Sequence, residues 1–288
     1  MSLRRVEQLL KTHFDEAEDA LVDKAPSSLR RGEGTEKNFF IMKIDLVGST
    51  QLLWSKRQAT YLKMAHTFLS TVDRITQDYG ADPEQVEYAG DGLFAYFPAI
   101  EGAGEKVLIA AFYAKAAVDR MANLGGAVGA LKPRCRIVLH YAPLTVARIG
   151  PRAGSILSAI GMPIHRVAKL EKDIAPGVAR ATIEFRTQLD RKLWKYFETV
   201  YKEVTVAIPV PPPPPPPPPL SNNFGNMAAN TGLLGALLQA QQPKRPSLNS
   251  LMLTDYMAPS MPAAQAYKTE KTIVGYNIWW SRLADELH

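Results

Sequence analysis

Two carboxylates stand out by position. Asp45 sits inside the apolar run FFIMKIDL, residues 39–46, and Asp91 is the centre of a Gly-Asp-Gly triplet, residues 90–92. A carboxylate in a strand that reads as buried is costly unless a cation or hydrogen bonds compensate it. The run ends in Val47-Gly48-Ser49-Thr50 and then continues with apolar residues at helical spacing. Free N–H groups and the dipole at such a helix start suit a polyphosphate. Two carboxylates, helped by a backbone carbonyl such as that of Leu46, suit Mg²⁺ or Mn²⁺, hard cations that keep positions for water and phosphate. Together these are the parts of metal-assisted phosphoryl transfer. Singly, each has an ordinary structural use, because Asp-Gly turns and Ser or Thr helix caps are common.

The surrounding pattern must bring the two acids together. Residues 4–23 read as a helix, Phe39–Leu46 as a strand, and Leu52 to Ile75 as a long amphipathic helix. QVEYAGDGLFAYF reads as a hairpin, residues 101–123 as an alanine-rich helix, and RCRIVLHYAPLTVARIG as a second pair of strands. A helix from Ile164 to Asp173, a strand ATIEF, a helix RTQLDRKLWKYF and a strand YKEVTVAI follow. If the first strand pairs with the hairpin, as βαββ units arrange, Asp45 and Asp91 end up side by side at one sheet edge.

At Pro209 the composition changes. PVPPPPPPPPPL favours a stiff polyproline II rod. The expected organisation is an N-terminal helix and loop (1–37), a catalytic domain (38–208), a polyproline and flexible insertion (209–267), and a last strand and helix (268–288). A tolerated spacer is the favoured reading of the proline run, ahead of a ligand for a proline-binding partner, because long surface insertions cost little closure entropy.

Composition narrows the classes. The 288 residues carry a formal charge of +6 without any dense basic run, so no nucleic-acid partner is expected. The single Cys135 excludes an internal disulfide and a cysteine metal site. No apolar run has bilayer length, and the N-terminus lacks the pattern of a secretory signal, so no membrane association and a cytoplasmic location are expected.

FFIMKIDLVGST, EYAGDGLFAYF, RIVLHYAPLTVARIG and IGMPIHRVAKLEK resemble, in order and spacing, the catalytic domain of class III nucleotidyl cyclases. The resemblance spans residues 38–208 and the strand near 271–280. It implies an α+β fold with a ferredoxin-like βαββαβ core and a head-to-tail homodimer with active sites shared between protomers. It further implies two Mn²⁺ or Mg²⁺ ions held by Asp45, Asp91 and the Leu46 carbonyl, and a nucleoside triphosphate cradled by residues 47–50.

Base readers in that family stand four residues before the second Asp and in the stretch that here ends IGMPIH. Here they are Glu87 and Ser158. A carboxylate accepts from a ring N–H and an exocyclic amine, which disfavours ATP, and Glu87 and Ser158 taken alone fit GTP. Where the family has Asn and, four residues on, Arg, this chain has His165 and Lys169, still on one helix face. Lysine keeps the charge but loses the guanidinium fork. Lys202 and Lys271 are the candidates for gripping the triphosphate. A single domain with unusual base and transition-state positions most resembles the stand-alone pyrimidine cyclases of bacterial Pycsar anti-phage systems. In those systems cyclic UMP or cyclic CMP acts on a downstream effector. The N3–H of uracil suits a Glu87 acceptor, favouring UTP over CTP. The alternatives are a guanylyl or adenylyl cyclase, a catalytically decayed nucleotide-binding scaffold, and a palm-type polymerase or diguanylate cyclase. The palm-type class is disfavoured because the hairpin lacks a paired acidic signature.

Overall fold

The computed structural model describes residues 2–17, 21–48, 58–151, 153–207 and 267–287. Its strands are β1 (Gly34–Leu46), β2 (Glu87–Ala89), β3 (Gly92–Pro98), β4 (Cys135–Ile149), β5 (Ile156–Ile160), β6 (Ala179–Ala181), β7 (Phe197–Ala207) and β8 (Tyr267–Ile278). The helices are α1 (Leu3–Asp15), α2 (Gln58–Asp78), α3 (Ala103–Met121), α4 (Gly126–Gly129), α5 (Met162–Lys172), α6 (Ile183–Thr187) and α7 (Trp280–Leu287). The chain forms two compact units, residues 1–202 with 273–288, and residues 203–272. Of the second, the described residues are the strand ends 203–207 and 267–272. The insertion expected over 209–267 lies outside the described residues up to 266.

The sheet runs β2-β3-β1-β4-β6-β8-β7, with β5 paired to β4. β1 pairs antiparallel with both β3 and β4, so β1-α2-β2-β3-α3-β4 is a ferredoxin-like βαββαβ unit. Strand alternation divides β1 between two cores. Phe40, Met42, Ile44 and Leu46 pack with Phe68 and Val72 of α2 and Val107, Ala111 and Val118 of α3. Phe39 and Ile41 face the opposite cluster, which contains Phe94, Tyr96, Val138 and Val167 of α5. Burial on both faces is why the run reads as continuous apolar sequence rather than alternation.

Several expected boundaries shift for identifiable reasons. The first strand begins at Gly34, five residues early, because β4 is long enough to pair with all of it, down to Gly34 opposite Ala147. RCRIVLHYAPLTVARIG is one 15-residue strand, not two. Pro143 does not break it, since it falls between the β6 contact at residues 137–139 and the β5 contact at 145–149, where no strand among the described residues needs its missing N–H. The helix expected over 4–23 ends at Asp15, and Arg31 then engages Glu16.

ATIEF is not a strand. Only Ala179–Ala181 pairs in the sheet, and α6 starts immediately after, because the Thr182 hydroxyl accepts from the Phe185 N–H at 3.3 Å and caps it. The helix then stops at Thr187, and the rest of RTQLDRKLWKYF is mostly a 3₁₀ segment, Arg191–Tyr196, capped by Asp190. α6 delivers Phe185 into the core edge-on to Phe40, with ring centroids 5.6 Å apart.

Thr182 also meets buried His140, with Oγ1 to Nδ1 at 2.8 Å. Replacing it with alanine removes a cap and leaves an imidazole nitrogen unpaired. The expected loss for Thr182→Ala is about 1–3 kcal/mol in urea unfolding, without change in the slope against denaturant. A midpoint equal to that of the parent would contradict the capping account.

Candidate active site

The two acids meet as the sequence pattern requires. Asp45 is near the end of β1, in register with Gly92, the first residue of β3. Asp91 precedes Gly92 in a two-residue turn between Ala89 and Gly92, with Gly90 at φ 67° supplying the left-handed backbone that such a turn needs. The approach is close. A Cβ at position 92 would lie 2.6 Å from Asp45 Oδ1 and 2.7 Å from the Ile44 carbonyl oxygen, so only glycine fits there.

Electrostatically, this pair is poorly served by the protein alone. Partial burial, then the neighbouring charges of Asp91 and Glu171, push the Asp45 carboxyl up to about 6; Lys43 and Arg136 pull the other way. Among the described residues, Asp91 Oδ2 is buried with no hydrogen-bond partner. Both acids also act on the Tyr61 hydroxyl of α2, whose pKa is raised first by burial and then by Asp91 and Asp45.

Next to the pair, Leu46 is buried opposite Cys135. The Val47 N–H donates to the Arg134 carbonyl at 2.8 Å, so that donor is engaged within the fold. Gly48 is exposed at φ 77°, and Ser49 and Thr50 lie outside the described residues.

Glu87 and Ser158 also come together. Glu87 Oε1 accepts from Ser158 Oγ at 2.9 Å and from the Ala159 N–H at 2.7 Å, while Oε2 accepts from the Tyr96 hydroxyl at 3.1 Å. The carboxylate thus ties β2 and β3 to β5. His165 and Lys169 are exposed on α5, together at a cleft of about 690 Å³ with His140 and Tyr141 of β4 and Glu184 of α6. Arg166, adjacent to His165, donates to Glu184 at 2.7 Å. Lys202 is exposed on β7, and Lys271 is exposed on β8 in the second unit.

Two features escaped the sequence reading. His140 is buried, and desolvation pushes its pKa down to about 4. Beside Asp45 lies an ionic cluster of buried Lys43 and Glu171 with half-buried Arg136. The available signal was the period of two that puts Lys43 on the Asp45 face. Cys135 is buried and its thiol is pushed up to about 12, which leaves it unreactive at neutral pH.

With the geometry established, solved structures offer a comparison. The guanylyl cyclase Cya2 aligns with a TM-score of 0.51 over 60% of this chain and 86% of that one, at 14% identity. A bacterial light-regulated adenylyl cyclase aligns at 0.53 over 68% and 59%, at 13% identity. A class III adenylyl cyclase-like ATP-binding protein from Pseudomonas aeruginosa aligns at 0.50 over 60% and 39%, at 15% identity. The chain has the class III cyclase fold.

In this cyclase fold the acids occupy the end of β1 and the β2–β3 turn, while His165 and Lys169 lie on α5. No family model matches the sequence. Rv1318c of Mycobacterium tuberculosis and Mb1352c of Mycobacterium bovis, both described as uncharacterized, are 27% identical over 172 residues. That match covers 58% of this chain but only 29% of each relative's length.

His140 generates a testable pH dependence. Its folded pKa lies below the ordinary value of 6.5, so between about 4 and 6.5 the unfolded chain binds the extra proton and stability rises with pH. Asp45, raised towards 6, acts in the opposite sense, so the informative quantity is the difference between variant and parent. His140→Gln should flatten the rise in unfolding free energy across this window by about one proton's worth. An unchanged slope would contradict burial of a neutral imidazole.

Proposed function

We propose that the chain is a nucleotidyl cyclase that converts a pyrimidine nucleoside triphosphate, UTP ahead of CTP, into a 3′,5′-cyclic mononucleotide and pyrophosphate. The observation carrying this reading is the convergence of Asp45 and Asp91 across a position where only glycine fits, with Asp91 Oδ2 buried and without a partner among the described residues. Among the described residues no group of three or more His, Cys, Asp or Glu forms a metal cluster. The pair itself nevertheless fits a divalent cation, since hard oxygen donors in a partly desolvated, mutually repelling arrangement are what a cation relieves. Asp45 and Asp91, with the Leu46 carbonyl, would hold two Mn²⁺ or Mg²⁺ ions. Bound there, such ions supply acidity to the ribose 3′-hydroxyl and countercharge to the triphosphate.

The chain's own groups do the rest. The exposed Gly48 turn offers a backbone N–H group to the phosphates. The 3′-hydroxyl gives up its proton to solvent, the 3′-oxygen bonds to the α-phosphorus as the bond to the bridging oxygen breaks, and pyrophosphate carries that oxygen away. Lys169 brings positive charge to the pentavalent phosphate and His165 donates to the ribose. Both come from the second copy in a head-to-tail homodimer, and Lys202 or Lys271 grips the triphosphate tail. The 209–267 insertion is a spacer within this catalytic domain. No helix among the described residues is long and apolar enough to cross a membrane. The product would signal to a separate cyclic-nucleotide effector in anti-phage defence.

Glu87 supports a base with one N–H on the edge it reads. Its Oε1 already accepts twice and its Oε2 once, which leaves capacity for one further donor. Uracil presents one, N3–H, whereas guanine presents N1–H together with its amine. The meeting of Glu87 with Ser158 keeps a guanylyl cyclase as the second reading.

The test offers ATP, GTP, UTP and CTP separately with Mn²⁺ and weighs the products by mass spectrometry. Cyclic UMP is expected, lost by at least about a hundredfold in Asp45→Ala. Inactive Asp45→Ala and Lys169→Ala chains, mixed, should regain part of the activity through one intact shared site. Cyclic GMP would move the assignment to the second reading. Absence of any product would favour a nucleotide-binding scaffold.

A further inference from the structure

Lys43, Glu171 and Arg136 meet beside Asp45, with Lys43 and Glu171 buried and Arg136 half-buried. Lys43 precedes Asp45 by two residues on β1, which puts both side chains on the same face of the sheet. Their Cα atoms are separated by roughly 7 Å, within the span of a lysine side chain. Arg136 lies directly opposite Asp45 on β4. Two cations therefore flank the carboxylate, and either could close onto it.

Both are engaged elsewhere. Lys43 Nζ lies 3.2 Å from Glu171 Oε2, and Arg136 Nη1 lies 3.3 Å from Glu171 Oε1. The Phe94 ring sits beside the ammonium, 5.3 Å from its centroid, and Arg136 Nε donates to the Ile174 carbonyl at 2.7 Å. Lys43 is 8% exposed and Glu171 5%. Glu171 thus spends one oxygen on each cation, and it comes from α5, a separate element that packs over this face of the sheet.

We propose that Glu171 is a positioning residue for the cation site, its carboxylate holding Lys43 and Arg136 off Asp45 so that the Asp45 oxygens stay open to a divalent ion. The inference rests on the Asp45–Asp91 metal reading given above. A released Lys43 is tethered at high effective concentration, and its ion pair with Asp45 in a partly desolvated site would compete directly with the divalent ion. Glu171 also stands two residues after Lys169 on α5, so the clamp ties the helix bearing one half-site to the strand bearing the other.

The experiment is an electron paramagnetic resonance titration of free Mn²⁺ with the full chain, without nucleotide or turnover. Glu171→Gln should weaken Mn²⁺ binding by about tenfold or more. Adding Lys43→Met to that variant should restore most of the lost affinity, because Arg136 keeps its bond to the Ile174 carbonyl, whereas Lys43→Met alone should change it little. Parent-like binding by Glu171→Gln would overturn the proposal. Equal tightening by Lys43→Met in both backgrounds would also overturn it, because that is a simple charge effect. If Glu171→Gln does not fold, Glu171→Asp, which keeps the charge and withdraws the oxygens, is read instead. It should lose affinity, and parent-like binding overturns the clamp. Asp45→Asn separates the two levels: if it leaves Mn²⁺ binding intact, the metal reading fails and the clamp falls with it.

Discussion

The arrangement of the site follows from one close contact, the approach of the β3 backbone at Gly92 to the carboxylate of Asp45. A glycine there lets β3 pair with β1 to its end while Asp45 Oδ1 occupies the space a Cβ would fill. The preceding two-residue turn then has a single placement for Asp91, beside Asp45. Loss of water around Asp45 and then repulsion between the acids are the consequence, and they push its pKa up to about 6. A fold that keeps such a pair tolerates an unfavourable local field that a bound cation would reverse.

The remainder of the architecture is arranged around that end of the sheet. Two faces of β1 are sealed by different layers, α2 and α3 on one side and α5 on the other. The α5 layer carries charge as well as apolar residues. Glu171 is buried in it because two cations meet it there, and an unpaired carboxylate at 5% exposure would be strongly destabilising. The β2–β3 hairpin is fixed a second time by Glu87, whose hydrogen bonds to Ser158 and Ala159 tie it to β5. Positions that could read a nucleotide are therefore held by the same contacts that hold the sheet.

The βαββ core was legible because its signals are local: a hairpin triplet, alternating burial and a long amphipathic helix. The Asp45–Asp91 meeting followed from topology, since βαββ pairing leaves few alternatives. ATIEF misled because β-branched residues suggest a strand, while the Thr182 cap, a side-chain effect, decides for helix. The unbroken β4 was hidden by Pro143, whose tolerance depends on which neighbours are absent at that position. The Lys43–Glu171 contact joins residues 128 apart, and a lysine within an apolar run does not announce its partner. The engagement of the Val47 N–H by Arg134 was likewise invisible, because it depends on where the chain leaves α4.

The central claim, that Asp45 and Asp91 jointly hold divalent cations against a nucleotide, is tested most directly by anomalous diffraction. Crystals would be grown with Mn²⁺ and a UTP analogue whose 3′-hydroxyl is missing. The account predicts manganese peaks at about 2.0–2.2 Å from oxygens of both carboxylates, with the analogue's phosphates completing the coordination. Bound nucleotide with no manganese between Asp45 and Asp91 would contradict it.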